Sequence, residues 1–243
     1  MRLRTIKVLL QIYEKVFHPN FDNIYLRFCQ EIDSTEFVIF DIGAHKGESI
    51  KSFKKLFPNA MIHAFEPDTA NFKDLHKKWG NKSKVILNNF AIGDVNTHKE
   101  FYTHHLSTTS TFKTFNEDSD VVKLKSKLLN LTPEKMVKNT YAVEIKKLDD
   151  YVRNFAIDKI GIMKIDTEGF EYECLQGCDR LLQEKKVDIL QIECSDGDNY
   201  LQATPFRIMV EFLAEYGYVF YEQKRRILNR HLIDAVFVNR NLT

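Results

Sequence analysis

The sequence has few cysteines, few glycines and few prolines. Its 243 residues include four cysteines, nine glycines and five prolines. The cysteines are too few and too scattered for a disulfide framework, which predicts reduced, buried thiols and a cytoplasmic protein. Glycine and proline do not cluster into a linker, so we expect one principal domain over residues 36–243.

Long apolar runs and a surplus of one charge are missing as well. No apolar run approaches the roughly 18 residues that a transmembrane helix needs. The net charge is +1, which gives no overall attraction to nucleic acid, so we expect no nucleic-acid partner. With 44% apolar and 28% charged residues, the composition is that of a folded globular protein.

The N-terminal residues carry basic side chains in front of apolar ones. Apolar residues from Ile6 to Phe17 recur with helical spacing, and the run Val8–Leu10 is too short for the core of a signal peptide. We predict a helical extension over residues 1–35 that packs on the domain. The alternative is a helix that rests on the anionic inner face of a membrane as a peripheral contact.

Short apolar runs alternate with stretches of helical pattern. The predicted strands are 37–43, 60–67, 84–93, 161–169, 187–194, 216–222 and 233–239, and the predicted helices are 48–57, 69–79, 170–185 and 205–216. The early strands are uniformly apolar, which is typical of strands covered on both faces. The alternation predicts an α/β domain with a mostly parallel sheet and helices on both faces.

The spacing of the strands predicts two departures from simple alternation. The third and fourth predicted strands are about 70 residues apart, more than one helix needs, so an insertion occupies about 95–150 and includes an extra strand over 98–104. The last two strands are joined by 223–231, short enough for a hairpin. This predicts that the final strand is antiparallel and lies at one side of the sheet.

A turn of small residues follows the first predicted strand. Gly43 permits a sharp turn, Ala44 keeps side-chain bulk low, and Gly47 lets a helix start close to the sheet. The turn departs from the dinucleotide fingerprint, because His45 stands at its middle position and the last glycine comes one residue early. Asp41 would repel a pyrophosphate and attract an ammonium group, so the turn favours a cationic ligand.

Polar residues follow the second and third predicted strands. Glu66, which precedes Pro67, lies about 20 positions after the turn, where an acidic residue accepts hydrogen bonds from ribose hydroxyls. The stretch "NNFAIGD" ends the third strand, and we expect an adenine ring to lie there, beside Asn89, Ala91 and Asp94.

Six segments together resemble the FkbM family of S-adenosylmethionine-dependent methyltransferases. They are "FDIGAHKGES", "HAFEP", "AIGD", "VEIKKLDDYV", "IMKIDTEGFEYECLQG" and "DILQIE", within about residues 36–195. The resemblance implies a Rossmann-like, seven-stranded class I methyltransferase fold, with S-adenosyl-L-methionine as the cofactor. It also implies O-methylation of a hydroxyl on a sugar, glycan, glycolipid or related natural product. One departure is His45, where the family more usually has Asn.

Acidic residues at the strand ends are the candidates for catalysis. A sugar hydroxyl is a poor nucleophile, so a general base or a metal ion would help. Asp166 ends the fourth predicted strand beside the cofactor, and we predict that it is the base or an orienting group, with Glu193 as its companion. His105 is a further candidate base. Alternatively, Asp166, Glu168 and Glu193 bind Mg²⁺ or Mn²⁺, which prefer oxygen ligands.

Two other classes of function remain open at this point. One is an NAD-dependent oxidoreductase on a similar fold, against which the glycine spacing counts. The other is a non-catalytic S-adenosylmethionine-binding partner subunit, and an intact Asp41, Glu66 and Asp166 argue for activity instead. The expected partner is a small-molecule or glycan acceptor, and the sequence is also compatible with an oligomer. The Lys-rich stretches 123–138 and 224–230 are predicted to be solvated surfaces.

Overall fold

The computed structural model describes residues 19–29, 37–105, 109–197, 200–201, 204–226 and 231–242. The predicted amphipathic helix at the N-terminus lies outside these residues. Within the described part of the chain, no helix is both long and apolar enough to cross a membrane. The four cysteines, all of which are described, are buried free thiols.

Ten strands form two sheets. They are β1 (Val38–Ile42), β2 (Met61–Phe65), β3 (Val85–Asn88), β4 (Ala91–Ile92), β5 (Thr97–His104), β6 (Val137–Lys146), β7 (Ile160–Ile165), β8 (Val187–Ser195), β9 (Tyr218–Arg225) and β10 (Leu232–Asn239). The larger sheet has seven strands in the order β3-β2-β1-β7-β8-β10-β9. Only β10 runs against its two neighbours in this sheet, so the predicted seven-stranded, mostly parallel sheet is confirmed.

Helices cover both faces of the larger sheet. The helices of the described residues are α1 (Asp22–Cys29), α2 (Glu48–Leu56), α3 (Thr69–Trp79), α4 (Asp120–Leu129), α5 (Leu148–Asn154), α6 (Glu171–Gln176), α7 (Asp179–Gln183) and α8 (Phe206–Glu215). Of these, α4 packs within the insertion and not on the larger sheet. Successive strand residues point to opposite faces. Ile39 of β1 therefore packs in a core with α1, α2 and α3, whereas Phe40 packs in a second core with α5 to α8. This two-sided burial explains the uniformly apolar strands.

The insertion folds onto the larger sheet as a second, three-stranded sheet. Its order is β4-β6-β5, with β4 parallel and β5 antiparallel to β6. The predicted extra strand corresponds to β5. The strand predicted over 84–93 is divided, because its end, β4, pairs with β6 instead of continuing β3. Ala91 therefore belongs to the smaller sheet.

Two further expectations need correction. The helix predicted over 170–185 is broken near Gly177, where an added Cβ would lie 2.0 Å from the carbonyl oxygen of Gly93. The chain turns there because the two backbones are in close contact. The final strand, β10, lies between β8 and β9 and not at one side of the sheet, so β9 forms the edge.

Candidate functional site

The carboxyl ends of β1, β2 and β7 are joined by backbone hydrogen bonds. The amides of Gly43 and Ala44 both donate to the carbonyl of Phe65 at 3.0 Å, and the amide of Asp166 donates to the carbonyl of Ile42 at 2.9 Å. Gly43 has a φ of +83°, and a Cβ there would lie 1.8 Å from the carbonyl oxygen of Asp166. Only glycine satisfies both constraints, so the glycine turn is fixed against two strand ends.

The turn continues through His45, whose backbone is left-handed, with a φ of +48°. This conformation suits asparagine and is tolerated by histidine, which explains how His can stand where the family usually has Asn. The amide of His45 donates to Oε2 of Glu66 at 2.8 Å. Its ring Nδ1 lies 3.4 Å from Oε2 of Glu48. Burial lowers the pKa of His45, but the hydrogen bond with Glu48 and the negative charges of Glu48 and Glu66 together outweigh that effect and raise it.

Glu66 follows β2 and is almost completely buried. Its Oε1 accepts a hydrogen bond from the amide of Asp68 at 2.8 Å, so each carboxylate oxygen already has one backbone donor. A carboxylate offers about four acceptor positions, which leaves capacity for two hydroxyl donors. Burial raises the pKa of Glu66 to about 8. The side chain is thus held in one orientation and suited to a ribose diol.

The other predicted cofactor residues occupy separate places around Glu66. Pro67 is half-buried beside it, and Nδ2 of Asn89 donates to the carbonyls of Glu66 and Pro67 at 2.8 and 3.3 Å. Asn89 therefore joins the loops after β2 and β3. Ala91 is buried in β4, and Asp94 is exposed on the turn before β5. At the start of α2, Gly47 has a φ of +79° and packs against Trp79.

Buried charges lie in a row across β1 and β7. Asp41 is opposite Lys164 in the strand register, and Nζ of Lys164 is 2.9 Å from Oδ2 of Asp166. Burial raises the pKa of Asp41 to about 6, although Lys164 acts against it. Burial lowers the pKa of Lys164, but Asp166 and Asp41 outweigh this and raise it. Lys164 is therefore held as a cation between two acids.

Three carboxylates converge where β7 and β8 end. One oxygen each from Asp166, Glu168 and Glu193 lies within 4.8 Å of the others. The sequence predicted that these side chains act together, and the geometry brings them into one cluster. Burial raises the pKa of Glu168 to about 7. Burial also raises the pKa of Glu193, against the effect of the neighbouring Arg226.

Two residues that the sequence did not indicate hold this cluster. Arg226 forms ion pairs with Glu193 and, at 3.2 Å, with Asp234. The hydroxyl of Tyr200 donates to Oε2 of Glu168 at 2.6 Å. The stretch 224–230 was predicted to be a solvated surface, but Arg226 is turned inward to the acids and is largely buried.

Glu171 is a further residue of the site that was not among the predicted site residues. Its Oε1 accepts hydrogen bonds from the amides of Thr167 and Gly169 at 2.9 and 3.0 Å. Between these residues, Glu168 adopts a left-handed φ of +55°, a strained conformation for a non-glycine residue. Burial raises the pKa of Glu171 to about 7. The segment "KIDTEGFE" carried the signal, since its last acidic residue fixes the turn that presents Glu168.

The insertion forms a wall beside the acidic cluster. Oγ1 of Thr111 donates to the carbonyl of Glu168 at 2.6 Å. The ring of Phe115 stacks on His104 on one side and on Tyr200 on the other, at centroid distances of 4.2 and 5.4 Å. His105, the predicted alternative base, follows β5, and its amide donates to the carbonyl of Met136. The insertion therefore contacts the turn that carries Glu168 and the ring of Tyr200.

Known proteins match most of the chain. The family model described as the methyltransferase FkbM domain matches residues 41–220. A curated relative, the 2-O-methyltransferase NoeI of Sinorhizobium fredii (strain NBRC 101917 / NGR234), is 25% identical over 184 residues, which are 75% of this chain and 73% of NoeI.

Solved structures resemble the chain more distantly. M. capricolum TrmK, in complex with S-adenosyl-homocysteine, has 11% identity and a TM-score of 0.47, covering 92% of this chain and 69% of TrmK. An rRNA methylase from Streptococcus thermophilus has 10% identity and a TM-score of 0.48, covering 89% of this chain and 94% of the methylase.

Proposed function

Since the chain belongs to the FkbM family of S-adenosylmethionine-dependent methyltransferases, we propose that it O-methylates a hydroxyl group of a sugar, a glycan or a glycolipid. The observation that carries the proposal is the cluster of Asp166, Glu168 and Glu193, which lies next to the glycine turn through the close contact of Gly43 with Asp166. The name of the relative, a 2-O-methyltransferase, also supports oxygen as the acceptor atom.

The residues around the glycine turn fit the methyl donor. Glu66 has acceptor positions for both ribose hydroxyls. The carboxylates of the buried Asp41 and Glu193 and of the half-buried Asp166 and Glu168 outnumber the cations of Lys164 and Arg226. An excess of buried carboxylates suits a ligand that carries an ammonium and a sulfonium group. When bound, S-adenosylmethionine supplies an electrophilic methyl group on its positively charged sulfur.

Among the three clustered acids, Glu168 is the best placed to accept the proton of the acceptor hydroxyl. Asp166 is bonded to Lys164 and Glu193 to Arg226, and a cationic partner weakens a carboxylate as a base. Glu168 has a neutral partner, Tyr200, and a pKa that burial raises to about 7. We assign the proton acceptor to Glu168 and the orientation of the acceptor hydroxyl to Asp166. His105 remains the alternative base.

A divalent metal ion is the second way in which this cluster would lower the pKa of a hydroxyl. Oxygens within 4.8 Å of one another allow a shared Mg²⁺ or Mn²⁺. The cations of Lys164 and Arg226, however, already compensate two of the three acids, which favours metal-free chemistry. Chelation by EDTA separates the alternatives, because only a metal-dependent enzyme stops and then recovers when Mg²⁺ or Mn²⁺ is added.

Asp166→Asn tests the assignment of Asp166 as the acid that orients the acceptor hydroxyl. The substitution keeps the shape of the side chain but removes its charge, so we expect turnover to fall roughly 100-fold or more, with little change in donor affinity. Methyl transfer to a panel of glycans and calorimetry with S-adenosylhomocysteine measure the two effects. Glu144→Gln, which alters an exposed, ion-paired acid on β6, is the matched control.

The outcome also separates the competing functions. Turnover of Asp166→Asn near the wild-type rate would remove Asp166 from catalysis. Calorimetric binding of NAD in place of S-adenosylhomocysteine would support an oxidoreductase. Donor binding without methylation of any hydroxyl acceptor would support a non-catalytic partner subunit.

A further inference from the structure

The helix α4, within the insertion, presents leucines to solvent. The side chains of Leu124 and Leu128 are 57% and 42% exposed, one helical turn apart. The opposite side of the helix is fixed to the domain, because Val122 and Leu129 are buried with Met136. The exposed leucines therefore belong to a helix whose other side is packed against the domain, and this packing fixes their position.

Positive charge surrounds these leucines. Lys123 and Lys127, also one turn apart, are exposed on the same part of the helix. Segment 121–138 contains five lysines and a single acidic residue, Glu134. Two further acids lie at the start of the helix: Asp120 in its first turn, and Asp118, which is 3.7 Å from Nζ of Lys123. Val137 and Lys138, which follow the 3-10 turn that packs against α4, are exposed as well. Lysines alternating with exposed leucines are typical of helices that lie in a membrane interface.

This helix borders the acidic cluster. Phe115 packs against the buried side of α4 and stacks on Tyr200, whose hydroxyl contacts Glu168. Lys125, half-buried on α4, is close enough for its charge to act on Glu168. The helix that carries the exposed leucines is therefore connected to the proposed catalytic acids through Phe115 and Tyr200.

We propose that the exposed face of α4, formed by Lys123, Leu124, Lys127 and Leu128, binds an anionic membrane surface. The leucines enter the boundary between headgroups and acyl chains, and the lysines contact lipid phosphates. A second copy of the chain is a poorer occupant, because a symmetric contact would bring the lysines of both copies together. Nucleic acid would leave the leucines exposed to water.

Cosedimentation with lipid vesicles tests the proposal, and it needs neither methyl donor nor acceptor. We expect the full chain to bind vesicles of phosphatidylglycerol and phosphatidylcholine, and to bind pure phosphatidylcholine far more weakly. Leu124→Ser with Leu128→Ser is expected to weaken binding roughly 10-fold, since less apolar area is buried. Lys123→Gln with Lys127→Gln is expected to weaken it about 10-fold through the lost attraction to lipid phosphates.

Matched controls distinguish this face from general surface charge. Lys51→Gln with Lys55→Gln changes two exposed lysines at the same spacing on α2, and Leu26→Ser changes an exposed leucine on α1. Both controls should bind like the wild type, with thermal unfolding confirming that every variant is folded. Undiminished binding of the α4 variants would overturn the proposal and assign the contact to the N-terminal basic residues. Absence of vesicle binding, or preferential binding of an RNA oligomer, would overturn it as well.

Because the assay measures lipid binding alone, its failure leaves the proposed methyltransferase activity standing. Conversely, if the chain binds vesicles but methylates no glycan, the membrane-binding proposal stands and the proposed glycan acceptor is contradicted. If both proposals hold, lipid-linked acceptors should be methylated faster in phosphatidylglycerol vesicles than in neutral vesicles, and the leucine variants should lose that difference.

Discussion

In the proposed function, the side chain of Glu66 both shapes the site and binds the donor. Its oxygens accept the amides of His45 and Asp68, and their remaining acceptor positions suit the two ribose hydroxyls. We expect Glu66→Gln to weaken S-adenosylhomocysteine binding by roughly 10- to 100-fold, since charge-assisted hydrogen bonds are lost. Isothermal titration calorimetry measures this directly.

The neighbouring carboxylate of Glu48 provides the control for Glu66. Glu48→Gln alters an acid at the start of α2 whose side chain is 60% exposed, so donor affinity should change much less. Equal donor affinity of Glu66→Gln and the wild type, with both proteins folded, would exclude Glu66 from the ribose site.

The residues of the site differ in how well the sequence predicts them. Glu66 and Asp166 could be predicted because each follows an apolar strand at the edge where parallel strands end. Tyr200 and Arg226 could not, because they contact Glu168 and Glu193 from elements 32 and 33 positions further along the chain. Their contacts depend on how the segment after β8 and the β9–β10 hairpin fold back.

At the scale of elements, the junction of the β1–α2 turn with β7 depends on Gly43. In Gly43→Ala the left-handed φ is strained and the Cβ meets a backbone carbonyl at 1.8 Å, so the strand ends must separate. We expect a loss of roughly 2–4 kcal/mol in the free energy of unfolding, from the strained φ and the overpacking together. Urea unfolding gives this value.

Gly217→Ala separates the two causes at the Gly43 junction. Gly217 also has a positive φ, of +73°, but its Cβ would meet only the flexible end of the Lys185 side chain. The variant Gly217→Ala should therefore lose roughly 1–2 kcal/mol in the free energy of unfolding, the cost of the strained φ alone. If Gly43→Ala is no less stable than Gly217→Ala, the close contact with β7 is not a structural constraint.

The elements that the sequence predicted are those with a continuous buried face. All seven strands of the larger sheet were expected from their apolar runs, and the five inner ones, β2, β1, β7, β8 and β10, are covered on both sides. In contrast, β6 was missed, since most of "VKNTYAVEIK" is exposed and only Val143 and Ile145 are buried. A strand held mainly by backbone pairing with β5 lacks the apolar pattern by which strands are recognised.

For the whole molecule, buried acids concentrated at one edge of the sheet make stability depend on pH. Burial raises the pKa of Glu66 to about 8, that of Glu171 to about 7 and that of Asp41 to about 6. In the unfolded chain these groups ionise near pH 4. The folded protein therefore holds more protons between these limits, and its stability decreases as pH rises through this range. The buried histidines His63 and His104, whose pKa values burial lowers to about 4, have the opposite effect, but only below about pH 6.5.

In the interval from about pH 6.5 to about pH 8 the buried histidines are largely neutral in both states. The groups that titrate there are the buried acids and His45, whose raised pKa also makes stability decrease as pH rises. We expect the free energy of unfolding of the ligand-free protein to decrease across this interval, with a slope of up to roughly 1.4 kcal/mol per pH unit for each proton retained. Glu66→Gln should flatten this slope, whereas Glu144→Gln, which alters an exposed acid on β6, should not. Urea unfolding at several pH values gives the slopes, and a slope that is the same for the wild type and Glu66→Gln would show that Glu66 is already ionised in the folded protein. A saturating donor, which needs the ionised form of Glu66 for its ribose, should then stabilise the protein more at the upper pH than at the lower one.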